Sequence, residues 1–258
     1  MTDEVPHLPF LYLSLACRFC HANVQVNGFP VLELNGTSQA ITNSFPINPF
    51  LVGNSNRILL SLDPIDNAFR HDDIKVTLRT FADGDIVSPE SGEHRLLYAE
   101  YGPHVDGAER LVLSYRFASF GFPSFYEELM ISPRIFDRDR LERYGRALLG
   151  LFFDQNVSDL MQEMEPKILA YARAYGKAVS YMREDLCLFL SKRLFCKEPE
   201  PMKSLTQPTM IPYCGGRIWE ILRPDLRPLF VTRPDIRGAR TQIRIFVGLR
   251  DGHLCVVR

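Results

Sequence analysis

The chain has 258 residues, 46% of them hydrophobic, 11% aromatic and 24% charged, with a formal net charge of −1. This is the balance of a folded globular protein; it excludes disorder, collagen and coiled coil, and no apolar run nears the roughly 18 residues that a membrane-spanning helix needs. The near-zero charge also excludes a chain that is basic all over and coats nucleic acid or anionic membrane.

The average conceals a split. Residues 1–118 carry 8 Lys and Arg against 14 Asp and Glu, whereas residues 119–258 carry 22 against 17. Such asymmetry predicts two units with different surfaces, 1–118 and 119–258. Arg supplies 24 of the 30 basic residues, so codon bias alone would explain an arginine-rich patch.

The apolar run within Met1–Cys20 lacks the basic flank of a signal peptide, its only preceding charges being Asp3 and Glu4. A cytoplasmic, bacterial-type protein with six reduced cysteines is therefore expected. Cys17-Arg18-Phe19-Cys20-His21 has the C-x-x-C-H spacing of haem attachment. Leu11, Leu13, Leu15, Cys17 and Phe19 alternate with other residues, however, which predicts a strand through Phe19 with the two thiols on opposite faces. No haem or other cofactor is expected, and zinc lacks a second ligand pair.

From Pro9 to Phe117 the runs are short and apolar or alternating, with a turn signal every 8 to 12 residues or so, the pattern of an all-β sandwich of jelly-roll or Ig-like type over 1–118. The predicted strands are 10–19, 22–26, 31–34, 58–62, 74–81, 96–101 and 111–117. Asn27-Gly28 predicts a tight hairpin, because both residues accept positive φ. Asn35-Gly36, Gly53-Asn54, Asp83-Gly84 and Asp106-Gly107 mark further reversals.

Three pieces carry a resemblance: Val24-Gln25-Val26-Asn27-Gly28-Phe29-Pro30-Val31, Phe45-Pro46-Ile47-Asn48-Pro49-Phe50-Leu51-Val52-Gly53, and Asn56-Arg57-Ile58-Leu59-Leu60-Ser61-Leu62. Residues 22–62 resemble galactose-binding-like jelly-roll modules in layout: strand, NG turn, extended edge, L-x-x-G-x-N, strand. One extra residue stands between Gly53 and Asn56. The resemblance implies a jelly-roll fold and, less directly, carbohydrate recognition by the sandwich loops; no ligand-contacting residue carries over from it.

The pattern changes after Phe117. Residues 119–125 form a Gly, Pro and Phe connector whose aromatic rings favour burial. From Asp137 the spacing is helical, with Leu141, Tyr144, Leu148, Leu151 and Phe152 on one stripe. A second helix runs from Val157 and is interrupted at Glu165-Pro166 before resuming through Ile168, Leu169, Ala172 and Tyr175. A third covers Val179 to Leu194, with Met182, Leu186, Phe189, Leu190 and Leu194 on its stripe. Residues 197–212 contain four prolines and are expected to be an exposed connector. Strands return at 217–222, 228–232, 240–248 and 253–257, the last pair joined by an Asp251-Gly252 hairpin. Helices followed by strands predict an α+β unit, antiparallel helices packed on an antiparallel sheet.

No catalytic constellation emerges. There is no G-x-S-x-G elbow. Cys214-Gly215-Gly216 is the one thiol in a glycine-rich loop, without a nearby His. The histidines lack metal-ligand spacing, His71-Asp72-Asp73 reads as a solvated loop, and Glu127-Glu128 and Glu163-x-Glu165 read as surface helix residues. No catalytic or metal residue is assigned. Between Lys203 and Arg258, 10 basic residues face 4 acidic ones. In 242–247 the strand period places Ile243, Ile245 and Val247 on one face and Gln242, Arg244 and Phe246 on the other. The predicted binding set is Trp219, Arg223, Arg227, Arg240, Arg244 and Phe246, a face of guanidinium groups and rings suited to an acidic protein partner. No RNP, KH or helix-turn-helix signature favours nucleic acid. The expected function is non-catalytic binding through protein contacts, as an immunity-type neutraliser or adaptor. The alternatives are an enzyme or small-molecule binder with a pocket in the C-terminal α+β unit, or a carbohydrate-binding module.

Overall fold

The computed structural model describes residues 8–65, 74–88, 91–100, 111–119, 127–200, 208–236, 238 and 240–258. His71-Asp72-Asp73, Asp106-Gly107, nearly all of the 119–125 connector and residues 201–207 lie outside the described residues. The chain divides into two compact units, one of residues 1–127 with 174–176, the other of residues 128–173 with 177–258.

In the first unit alternation governs the strands. β1 (Phe10–Cys17) buries Leu11, Leu13 and Leu15 to 1% exposure. It lies between β4 (Ile41–Pro46) and β6 (Ile74–Phe81), with β7 (Glu93–Arg95) at the far edge of β6. The other sheet has β2 (Cys20–Val26), β3 (Phe29–Asn35), β5 (Ser55–Pro64), β8 (Tyr98–Glu100) and β9 (Leu111–Ala118), in the order β3-β2-β5-β9-β8. Val24, Val26, Ile58, Leu60 and Leu62 are buried in it. All pairings are antiparallel. β4 has no counterpart among the predicted strands: its sequence ITNSFP is polar, as befits an edge strand with no fully buried residue. The predicted 96–101 strand appears over its described residues as the shorter β8, and β7 is an additional strand before it.

The first predicted strand ends two residues early. Phe19 takes φ 54° and the chain passes from the β1 sheet into the β2 sheet. The crossover changes the fate of the cysteines: both thiols are fully buried rather than aimed at opposite faces of one strand. Gly36 donates its N–H to the Cys20 carbonyl at 2.9 Å. A Cβ at Gly36 would sit 3.0 Å from that oxygen and 3.1 Å from Cys17 Sγ, so any larger residue would have to push the crossover backbone aside. Burial also pushes the Cys17 thiol above its ordinary value.

The turn residues of the jelly-roll resemblance are joined by hydrogen bonds. Asn27 and Gly28 adopt φ of 51° and 81° and close the β2–β3 hairpin. Asn27 Nδ2 donates to Asn56 Oδ1 at 2.8 Å and to the Phe50 carbonyl at 2.7 Å. Asn56, 1% exposed, accepts from the Val52 N–H at 2.7 Å and donates to Ser119 Oγ at 2.9 Å. These asparagines satisfy the backbone of a loop that would otherwise bury unpaired polar groups.

The helices are α1 (Glu127–Ile131), α2 (Arg138–Phe153), α3 (Val157–Glu163), α4 (Glu165–Tyr175) and α5 (Val179–Leu188), the last running into a π-helical turn, Phe189–Leu194; all but Glu127 and the last two residues of α4 belong to the second unit. The Asp137 carboxylate caps α2 by accepting from the Arg140 N–H at 2.8 Å. The stripe of α2 supplies Leu141, Leu148 and Phe152 to a core completed by Leu160, Met164, Leu190, Leu194, Ile221, Phe230, Ile245 and Val247. The sheet order is β10-β11-β14-β15, with β10 Thr209–Tyr213, β11 Ile218–Leu222, β14 Ile245–Arg250 and β15 His253–Val256. β12 (Phe230–Val231) and β13 (Gln242–Ile243) pair separately. β10 overturns the expectation of a connector through 212. It is an edge strand, where the missing N–H of Pro212 costs no ladder bond. The predicted 240–248 strand breaks at Arg244, between β13 and β14.

Candidate functional site

β11 is buried along its whole length, so its alternation has two buried destinations. Trp219 and Ile221 join Ile245 and Val247 in the helix-facing core, where the Arg138 guanidinium lies 5.7 Å from the Trp219 ring. Glu220 pairs across the ladder with Phe246 on the opposite face. The sheet therefore separates Trp219 from Arg244 and Phe246, which sequence reasoning had grouped together.

Arg244 forms a fork with Glu220, Nε to Oε1 at 2.6 Å and Nη2 to Oε2 at 2.8 Å, and stacks 5.1 Å over the Phe246 ring. Glu220 is 1% exposed, Phe246 5%, and the Tyr213 hydroxyl donates to Glu220 Oε2 at 3.3 Å. This is a charge-assisted pair with a buried carboxylate and a partly exposed guanidinium rather than a fully open sheet face.

The other three predicted arginines converge on Glu200. Arg227 reaches its Oε2 at 2.6 Å, Arg240 at 3.1 Å and Arg223 at 3.9 Å, and Arg227 also holds Asp225 at 2.6 Å. The hydrogen bond from Arg227, followed by the charges of all three arginines, holds the Glu200 carboxyl below its ordinary range. Arg223 is 3% exposed, while the Arg227 and Arg240 side chains retain 39% and 41%. The cluster was invisible in the sequence because Glu200 lies in the stretch expected to be a free connector.

The remaining candidates have structural occupations. Cys214, Gly215 and Gly216 all take positive φ in the turn before β11, and the Gly216 carbonyl accepts from the Ile135 backbone N–H and the Trp219 indole Nε1–H. Glu163 accepts from the Tyr144 hydroxyl, and Glu165 pairs with Arg183. No group of three or more metal-ligating side chains occurs among the described residues.

A cavity of about 280 Å³ opens between α4 and the α5 region of the second unit. Lys167, Ile168 and Tyr171 line it from α4; Met182, Asp185, Leu186, Leu188, Phe189 and Arg193 line it from α5 and the π turn. The predicted stripe of the third helix explains its origin. Leu190 and Leu194 enter the core at 0% exposure, but no residue of α5 is fully buried. The N-terminal part of the stripe, Met182, Leu186 and Phe189, therefore faces the cavity. The π turn widens the helix where it passes Phe189 and Arg193, and such turns recur at functional sites.

Lys167 is the unusual wall residue. Its ammonium lies 5.7 Å from the Tyr171 ring centroid, as does the guanidinium of Arg258, which is 3% exposed. Among the described residues no carboxylate stands within ion-pair distance of Lys167. Burial, and after it the Arg258 charge, lowers Lys167 to about 8, and burial raises the Tyr171 hydroxyl. A lysine among helix-stripe hydrophobes reads in sequence as a solvated residue, so only its placement betrays it.

No family model, curated protein or solved structure matches the chain. Among the described residues no helix is long and apolar enough to cross a membrane.

Proposed function

We propose that the protein binds a small, largely apolar molecule in the cavity between α4 and α5, in a binding rather than a catalytic role. The observation that carries this reading is the cavity itself, about 280 Å³ with five apolar side chains in its wall. A cavity of roughly 150 Å³ already holds benzene, and sites of this kind combine apolar walls with a few polar groups. Titration with 1-octanol, followed by methyl NMR shifts at Met182, tests it. Saturable shifts in the wild type, abolished in Leu186→Trp with the fold retained, are expected; no saturable shift in the wild type overturns the reading.

A second reading is an acidic protein partner at the Glu200 cluster, favoured by three guanidiniums facing two carboxylates there, with Arg227 and Arg240 partly open to solvent. Arg240→Glu should then weaken capture of an acidic partner by on the order of tenfold and reduce its salt dependence, measured by surface-based affinity at two ionic strengths. For the architecture, we propose that the two sheets of the first unit form a sandwich in a cytoplasmic, two-domain protein. The alternating burial along β1, β2 and β5 supports the sandwich.

A further inference from the structure

We infer that the α4–α5 cavity selects a ligand with one anionic head, a carboxylate, on an apolar tail, and that Lys167 holds the head. This rests on the cavity-binding reading above and adds the ligand's chemical class. Three observations converge. The apolar residues Ile168, Met182, Leu186, Leu188 and Phe189 give a tail its surroundings. Among the described residues Lys167 has ring contact but no carboxylate partner. An ammonium in an apolar wall carries an unrecovered desolvation cost that an incoming anion offsets.

The charges around Lys167 favour the same sign. Arg193 lines the cavity from the π turn, so with Lys167 two wall cations face one wall carboxylate, Asp185, which is exposed, and the Arg258 guanidinium lies behind them at the Tyr171 ring. Tyr171, hydroxyl-bearing and neutral, completes the titratable groups at this end. A cationic ligand would meet Lys167 and Arg193 together, and a neutral one would leave the lysine's charge uncompensated. Leu188, 50% exposed, places part of the wall at the surface, where a ligand can enter.

The probes are octanoate, 1-octanol and octylammonium on the full chain, by calorimetry or ligand-observed NMR. Octanoate should bind about tenfold to a hundredfold more tightly than octanol, the usual gain from a hydrogen bond to a charged group, and octylammonium more weakly than either. Lys167→Met should remove the octanoate advantage while leaving octanol affinity within about twofold. Octanoate stays ionised above pH 6, so its affinity should fall as pH rises through about 8, where Lys167 loses its proton, while octanol affinity stays flat. Binding of octanol with no advantage for octanoate, or an advantage that survives in Lys167→Met, overturns the inference and leaves the cavity reading standing. If neither probe binds the wild type, the cavity reading falls with it.

Discussion

Arg244 and Lys167 show how differently two cations behave once their partners are known. Arg244, itself partly exposed, is matched through two hydrogen bonds to the buried Glu220 carboxylate. Arg244→Met would leave the Glu220 carboxylate buried with the Tyr213 hydroxyl, and a loss of about 3 kcal/mol is expected from urea denaturation. The double change Arg244→Met with Glu220→Leu should recover most of that loss, because it removes the orphaned charge as well. Lys167 has the opposite sign of effect. Its folded value of about 8 lies below its ordinary 10.5, so between those values the unfolded chain holds a proton that the folded chain has released. Stability should therefore rise with pH across that window. Lys167→Met should be more stable than wild type at pH 7, by on the order of 2 kcal/mol after allowance for screening of a partly exposed group. The advantage should shrink towards pH 10, as melting curves at several pH values would show.

At the scale of elements, hairpins were the most legible features. Asn27-Gly28 and Asp251-Gly252 both adopt positive φ and close the turns expected of them, because turn chemistry acts within four residues. The Asp137 cap is equally local, and Asp137→Ala should cost about 1 kcal/mol in thermal unfolding. β4 and β10 were not legible: one is polar and the other contains Pro212, and each is a strand only because a neighbouring strand pairs with it. Asn56 illustrates the same dependence. Its local setting reads as a turn residue, yet it bonds to Asn27, Val52 and Ser119 from separate parts of the first unit. Asn56→Ala should destabilise by about 2 kcal/mol in urea, since buried partners lose their hydrogen bonds. A change below about 0.5 kcal/mol would show that water replaces the side chain.

For the molecule as a whole, acid stability should depend on Glu200. Its carboxyl is held below its ordinary 4.5 by the arginines around it, so the stabilisation is present above that value and is lost as pH falls through the lower folded value. Glu200→Gln should flatten the acid limb of a stability–pH profile, and added salt should narrow the difference between the two proteins. The sequence by itself determined the mixture of strand-rich and helix-rich halves, the hairpins and the α2 stripe, because periodicity and turn chemistry are short-range rules that a chain obeys before it packs. Only the tertiary structure decided what the charged residues do. Glu220 and Arg244 are 24 residues apart and Glu200 and Arg240 are 40 apart, and the Lys167 cavity needs α4 and α5 side by side. Which charge meets a partner, and which wall lacks one, follows from long-range packing that no local pattern encodes.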